Sequence, residues 1–395
     1  MKLKSDISFD DTEIAFSPKS NWEIKKSRAL FATVGHPVVS AIATGLVKIG
    51  FALRLPIKGM IKNTVFEVFC GGETIAESIQ TVDVLGKYGV GTILDYSVEG
   101  EETEEAFDNT KNETIKTIIN AQNNGNIPFC VFKPTGVASV HVLEKVQLRK
   151  PLSETEQIAF ERIKSRIDEI CKEAYENDVP LLIDAEDSWI QDPVDEMVYA
   201  MMAKYNKEKA LIFNTYQMYR VSSLENLKNT FQEAIRQGYF VGAKLVRGAY
   251  MENERERAEK MGYPDPIQPT KEATDDGYNE ALKFCIDHKD HIDVINCTHN
   301  EYSSYYLASL MEEYGIKNND SGVWFAQLYG MSDNISFNLA KAGYNVAKYV
   351  PYGPVKSVMP YLFRRAEENK SVAGQSGREL TLIKKELKRR KLEKK

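Results

Sequence analysis

No CxxC pair occurs anywhere in the 395 residues, and the five cysteines, Cys70, Cys130, Cys171, Cys285 and Cys297, are odd in number and scattered. Such spacing argues against a disulfide framework and a zinc site, and it fits a reducing compartment. Histidine is scarce, at five residues, and no histidine or cysteine has metal-ligand spacing with His299, so no metal is expected. GxGxxG is missing after every strand-like run, which counts against a Rossmann domain. Long apolar runs are also missing. The most apolar segment, His36 to Met60, is broken by Lys48, Arg54 and Lys58. A spanning helix needs about 20 predominantly apolar residues, so only a surface-lying amphipathic helix stays open. The N-terminal MKLKSDISFDDTEIAF has no apolar run and reads as neither a secretory signal nor a transit peptide. Positive charge is in short supply outside the C-terminus. The formal charge is −6, and the last fifteen residues alone carry +6, which leaves −12 on the rest and argues against nucleic acid as a partner.

What is present is a repeated theme. From about Gly89 a short apolar, β-branched run ends in polar residues and is followed by a charged segment of helical period. The runs are GTILDY (91–96), PFCVFKPTG (128–136), VPLLIDAED (179–187), ALIFNTY (210–216), FVGAKLVRGAY (240–250), IDVINCTHN (292–300), VWFAQLYGM (323–331) and NVAKYVPYG (345–353). Eight continuously apolar strands separated by helices predict an α/β fold, a (βα)8 TIM-like barrel, with an open doubly wound sheet as the alternative. Residues 1–85 read as an N-terminal helical region and 86–395 as the barrel with its closing C-terminal helices. Pro351 and Pro354 around Gly353 predict a sharp turn before the first of those.

Barrel chemistry gathers at the C-terminal ends of the strands. There the sequence places Asp95 and Glu99, Lys133, Asp184 and Glu186, Asn214 and Tyr216, Lys244, Arg247 and Tyr250, Thr298, His299 and Asn300, Leu328 and Tyr329, and Tyr349 and Tyr352. Lys133 at a barrel rim suits an anion holder or a Schiff-base nucleophile. Asp184 and Glu186 suit either a helix cap or a counter-charge for the cations at the mouth. Two arginine doublets then offer a contrast. Arg364 and Arg365 follow Tyr361 and other aromatic and apolar neighbours, whereas Arg389 and Arg390 sit among lysine and glutamate. The contrast predicts a buried or cleft-facing role for the first doublet only, where a pair of planar forks can grip a carboxylate.

Several long segments, KLVRGAYMENERERA, GYPDPIQPTKEAT, LIFNTYQMYR and FAQLYGMSDNISFNLAKAGYNVAKYVPYGPVKSVMPYLFRRAEEN, resemble the proline dehydrogenases. The resemblance runs from about Gly89 to Glu379 and is to the stand-alone enzyme of the mitochondrial-type branch. It implies a distorted (βα)8 barrel that holds FAD non-covalently and oxidises L-proline to Δ1-pyrroline-5-carboxylate. By resemblance, Lys133, Arg364 and Arg365 bind the proline carboxylate, Tyr349, Leu328 and Tyr361 line the ring pocket, and Glu99 gates the mouth. Asp184 and Lys244 belong to the catalytic centre, Lys244 near flavin N5. Ala185, Asn214, Val246, Arg247, Gly248, Ala249, Tyr250, Thr298, His299 and Asn300 match flavin-contacting positions, with Thr270 and Thr274 at the adenosine end. Many bacterial members read Arg-Leu-Val-Lys where this chain reads Lys244-Leu-Val-Arg247, so the two cations are exchanged. Tyr349 is retained where hydroxyproline-specific relatives carry a smaller residue, which favours proline as substrate.

The resemblance further implies a quinone as electron acceptor, and a basic tail or the His36 to Met60 segment is a means of peripheral contact with anionic lipid. The lack of a recognisable presequence suggests a bacterial, cytoplasmic member. The rival reading is a Schiff-base lyase on the same barrel with Lys133 as nucleophile.

Overall fold

The eight apolar runs become eight strands that close, in sequence order, into a barrel. The computed structural model describes residues 7–34, 45, 57–98, 102–371 and 375–393. Closure excludes the open doubly wound sheet. The elements are α1 (Thr12–Ala15), α2 (Asn21–Val34), three short helical turns (Lys58–Ile61, Lys62–Phe66, Glu67–Phe69) and α3 (Ile75–Gly86). Then follow β1 (Val90–Tyr96), α4 (Glu104–Gln122), β2 (Phe129–Phe132), a 3-10 turn (Pro134–Gly136), α5 (Val140–Gln147), α6 (Glu154–Glu176), β3 (Leu181–Ile183), α7 (Ser188–Tyr205), β4 (Ile212–Gln217) and α8 (Ser223–Gln237). The chain continues through β5 (Val241–Val246), α9 (Met251–Met261), α10 (Lys271–Asp287), β6 (Ile292–Cys297), α11 (Glu301–Glu313), β7 (Val323–Leu328), α12 (Asp333–Lys341), β8 (Val346–Tyr352), α13 (Val355–Ser371) and α14 (Gln375–Leu392).

Local chemistry explains the boundaries. All six residues of β4 are buried, as expected of a parallel strand covered on both faces. A capping box starts α6, where the Ser153 hydroxyl accepts from Glu156 N–H while the Glu156 carboxylate accepts from Ser153 N–H. Gly238, at φ +67°, ends α8 in the left-handed conformation that costs other residues a Cβ clash. The turn predicted at Pro351–Pro354 is made by Gly353 at φ +143°, just before α13.

Two compact units divide the chain, Glu101–Ala326 and Met1–Gly100 with Gln327–Lys395. Within the first, parallel registers pair Leu182 with Phe213, Thr215 with Lys244, and Lys244 with Ile295. In the second, β1 pairs with β8, with Ile93 opposite Tyr349 and Thr92 opposite Lys348. This unit also has a core of its own. Phe16, Ile24 and Phe31 from the N-terminal helices meet Phe66, Phe69, Val355, Val358, Leu362, Leu382 and Ile383. The N-terminal and closing helices therefore share one apolar interior, and Phe31 meets Phe69 edge to face at 6.2 Å. Each such side chain, once fully buried, contributes roughly 1.5–3 kcal/mol of transfer free energy.

Candidate active site

In the unit Glu101–Ala326 the strand ends converge on one carboxylate. Asp184, just past β3, accepts a hydrogen bond from Lys244 Nζ on β5 and has Lys133 Nζ, just past β2, at 3.8 Å. The Lys244 side chain is 6% exposed and those of Lys133 and Asp184 are 16% and 14% exposed, so both cations lie in a poorly hydrated setting. A buried ammonium there is tolerable only beside its counter-charge. Ala185 is buried between Asp184 and Glu186. Burial pushes the Glu186 carboxyl up to about 7, against hydrogen bonds from the Thr135 amide and hydroxyl and the charge of Lys133. Cys297, at the end of β6, has its thiol pushed up by burial to about 12 and stays protonated at neutral pH.

Arg247 is turned away from that centre. Its Nε donates to Asp275 at 2.7 Å, and its two terminal nitrogens donate to Thr298 Oγ1 at 2.6 Å and Ser303 Oγ at 3.0 Å. The guanidinium also lies 4.3 Å from the ring centroid of Tyr278. So the exchanged cations do different work: Lys244 faces Asp184, and Arg247 ties the end of β5 to α10 and α11. Beside it Val246 is half-buried, Gly248 and Ala249 are exposed, and Tyr250 precedes α9. Gly248 has φ +131°, and a Cβ there would come within 2.6 Å of the Tyr219 ring, so no other residue fits. Asn300 caps α11 and Thr270 caps α10, with Thr274 one turn on and His299 half-buried next to Thr298.

Asn214 turns its side chain toward α7. Its amide nitrogen donates to Asp195 at 2.9 Å and reaches Tyr199 at 3.5 Å, both on α7, so the side chain lies on the helix-facing side of β4. Strand alternation explains this: Thr215, not Asn214, is in register with Lys244. The same alternation points to a residue that a survey of strand ends passes over. Gln217, two positions after Thr215, donates to the carbonyl of Glu186 at 2.7 Å.

In the unit of the two termini, Tyr349 is 9% exposed on β8. Its neighbour Lys348 points the opposite way, toward Asp333 of α12 at 3.0 Å, which leaves Tyr349 on the inner side of the strand. Leu328 ends β7 and packs against the second core. Tyr361 and Arg365 are 3% and 8% exposed, Arg364 is half-buried, and the Arg365 guanidinium lies 5.1 Å from the Tyr361 ring. Glu99 and most of the His36 to Met60 segment lie outside the described residues.

The second doublet does not behave as a solvated face. Arg390 donates to the carbonyls of Phe16 and Lys19, both at 2.8 Å, to Asn21 Oδ1 at 3.1 Å and to Glu386. Arg389 chelates Glu386, whose side chain is fully buried. Lysine and glutamate neighbours in sequence suggest a wet helix, but one edge of α14 is folded onto the N-terminal helices. Among the described residues no helix is long and apolar enough to cross a membrane, and no group of three or more His, Cys, Asp or Glu side chains could hold a metal ion.

A closed parallel barrel whose strand C-termini gather buried cations around a carboxylate defines an α/β-barrel enzyme class. A family model described as proline dehydrogenase matches residues 78–378, and the chain belongs to the proline dehydrogenase family. Proline dehydrogenase 1, mitochondrial, of Dictyostelium discoideum is 35% identical over 382 residues, covering 86% of this chain and 67% of that protein. Hydroxyproline dehydrogenase of Xenopus laevis is 32% identical, covering 97% of this chain and 90% of that protein. Among solved structures, proline utilization A from Bdellovibrio bacteriovorus inactivated by N-propargylglycine superposes with a TM-score of 0.71 at 19% identity. That match covers 92% of this chain and 37% of the other, and it establishes the shared fold.

Proposed function

We propose that the chain oxidises L-proline to Δ1-pyrroline-5-carboxylate, with FAD as cofactor and a quinone as electron acceptor, in the cytoplasm with peripheral membrane contact. The observation that carries this reading is the Lys133–Asp184–Lys244 cluster at the strand ends of a chain in this family. The donors nearby suit a dinucleotide: exposed backbone at Gly248 and Ala249, hydroxyls of Thr298 and Thr270, His299, and the N-termini of α10 and α11. When bound, FAD supplies an acceptor for the hydride that leaves C5 of proline. Arg364 and Arg365 take the carboxylate, with Lys133 in the same role. Tyr349, Leu328 and Tyr361 enclose the ring, and Tyr349 crowds a 4-hydroxyl, so proline is preferred over 4-hydroxyproline. Asp184 fixes the Lys244 ammonium and balances its charge. These groups position and neutralise, and none needs to carry a proton through the redox step.

The test is the visible spectrum of the purified protein under anaerobic conditions. Flavin bands that bleach on adding L-proline, and more slowly with 4-hydroxyproline, are expected. Bound flavin that does not bleach with proline overturns the reading. Borohydride trapping of a carbonyl substrate on Lys133, in a colourless protein, would support the lyase instead.

A further inference from the structure

The loop that carries Lys133 is tied down at Thr135. After β2 the segment Lys133–Gly136 closes one 3-10 turn, in which Gly136 N–H donates to the Lys133 carbonyl at 2.9 Å. Both donors of the intervening Thr135 go to a single atom. Its backbone N–H and its hydroxyl donate to Glu186 Oε1 at 2.9 and 2.7 Å. Glu186 is only 4% exposed and is itself fixed from two sides. Its N–H donates to Gln191 Oε1 of α7 at 2.6 Å, and its carbonyl accepts from Gln217 of β4 at 2.7 Å. Two residues before it, Asp184 faces the Lys133 ammonium at 3.8 Å.

The bland role for such a carboxylate is to cap the helix that follows, but α7 is served otherwise. Its first residue, Ser188, donates its N–H to Glu254 Oε1 at 2.7 Å and its hydroxyl to Glu254 Oε2. Glu186 is left to reach sideways, from the end of β3 to the loop after β2. That reach runs against burial, which pushes its carboxyl up to about 7.

We propose that Glu186 is the positioning residue for Lys133: by holding both donors of Thr135 it sets the direction in which the loop presents the Lys133 ammonium to the substrate carboxylate. The inference rests on the reading of Lys133 as a carboxylate holder. It predicts that Glu186 acts only through Lys133, so their effects on substrate binding are not additive.

The experiment uses the full-length, flavin-loaded protein and two readouts. One is KM against kcat for L-proline. The other is the dissociation constant of cyclopentanecarboxylate, which keeps the ring and carboxylate of proline but lacks the amine, read from its perturbation of the flavin spectrum. Glu186→Ala is expected to raise both KM and that constant about tenfold while kcat changes less than about twofold. Thr135→Val, which removes one of the two bonds, should raise them about threefold. Glu186→Gln, which keeps an acceptor oxygen, should restore most of the affinity. In a Lys133→Ala background, neither Glu186→Ala nor Thr135→Val should add more than about twofold. Full, additive effects in that background overturn the proposal and leave the carboxylate reading of Lys133 standing. A Lys133→Ala protein with unchanged KM overturns that reading and the proposal with it. Should Glu186→Ala fail to fold, Thr135→Val decides alone, and wild-type affinity in that variant is the overturning result.

Discussion

Two lysines against one aspartate make Asp184 the residue on which the site's electrostatics turn, yet the tightest test of ligand binding lies with the arginines. Arg364 and Arg365 are half-buried and buried, in a setting where a charge-assisted hydrogen bond contributes about 1.5–3 kcal/mol. Arg364→Ala and Arg365→Ala should each raise the proline KM by about tenfold to a hundredfold, whereas Arg389→Ala should leave it unchanged in steady-state assays. Equal effects at both doublets would remove the substrate role from the first. Lys133, Asp184 and Lys244 are legible in the sequence because a charge at the end of an apolar run has few places to go. The direction of Asn214 is not, since a succession of polar strand ends does not say which face each occupies. Anchoring β4 on the Thr215–Lys244 pair resolves it: Thr215 and Gln217 face inward and Asn214 meets α7.

At the scale of elements, α14 has the sequence of a basic tail and the position of a structural tie. Arg390 donates to the carbonyl of Lys19 and adds a second donor to that of Phe16, which already accepts the Lys19 N–H at 3.0 Å, and it does so from a helix whose Glu386 is buried beneath it. Arg390→Ala should therefore lower unfolding free energy by about 1–3 kcal/mol in urea titrations. Arg389→Ala removes exposed pairs with Glu13 and Glu393, about 0–1 kcal/mol, and a two-bond contact with the buried Glu386, which keeps Arg390 as its other cation. An unchanged urea midpoint for Arg390→Ala would show that the tie carries no stability. Lipid contact is then better examined by charge reversal at Lys384, Lys388 and Lys391 than by deleting the tail, because deletion removes the tie as well. The eight strands and the turn at Gly353 are legible from period and composition. The joint core of N-terminal and closing helices is not, because it pairs segments such as Phe16 and Leu382 that no local pattern connects.

For the molecule as a whole, the buried carboxyls fix how stability should vary with pH. Glu379 of α14 is 4% exposed and accepts the Ser332 N–H at 2.6 Å. Burial pushes it up from 4.5 to about 7, and the charge of Asp333 adds to the rise against Ser332, Lys19 and Lys348. Between pH 4.5 and 7 the folded chain keeps a proton at Glu379 that the unfolded chain has lost. This contribution to stability is therefore complete below pH 4.5 and gone once the pH passes 7. Glu186, also pushed up to about 7, acts in the same sense from the other unit. Asp333 acts in the opposite sense: burial would raise it, but Lys19 and Lys348 hold it down from 3.8 to about 2, so its contribution is lost only as the pH falls through that range. Since a tenfold change in proton affinity corresponds to about 1.4 kcal/mol, Glu379 alone accounts for roughly 3 kcal/mol between pH 5 and pH 8. Unfolding free energy should accordingly fall from pH 5 to pH 8 in urea titrations, and Glu379→Gln, which keeps an acceptor for Ser332 but never ionises, should remove about half of the slope. A slope that survives intact in Glu379→Gln would mean that this carboxylate finds more compensation from Lys19 and Lys348 than its burial costs it.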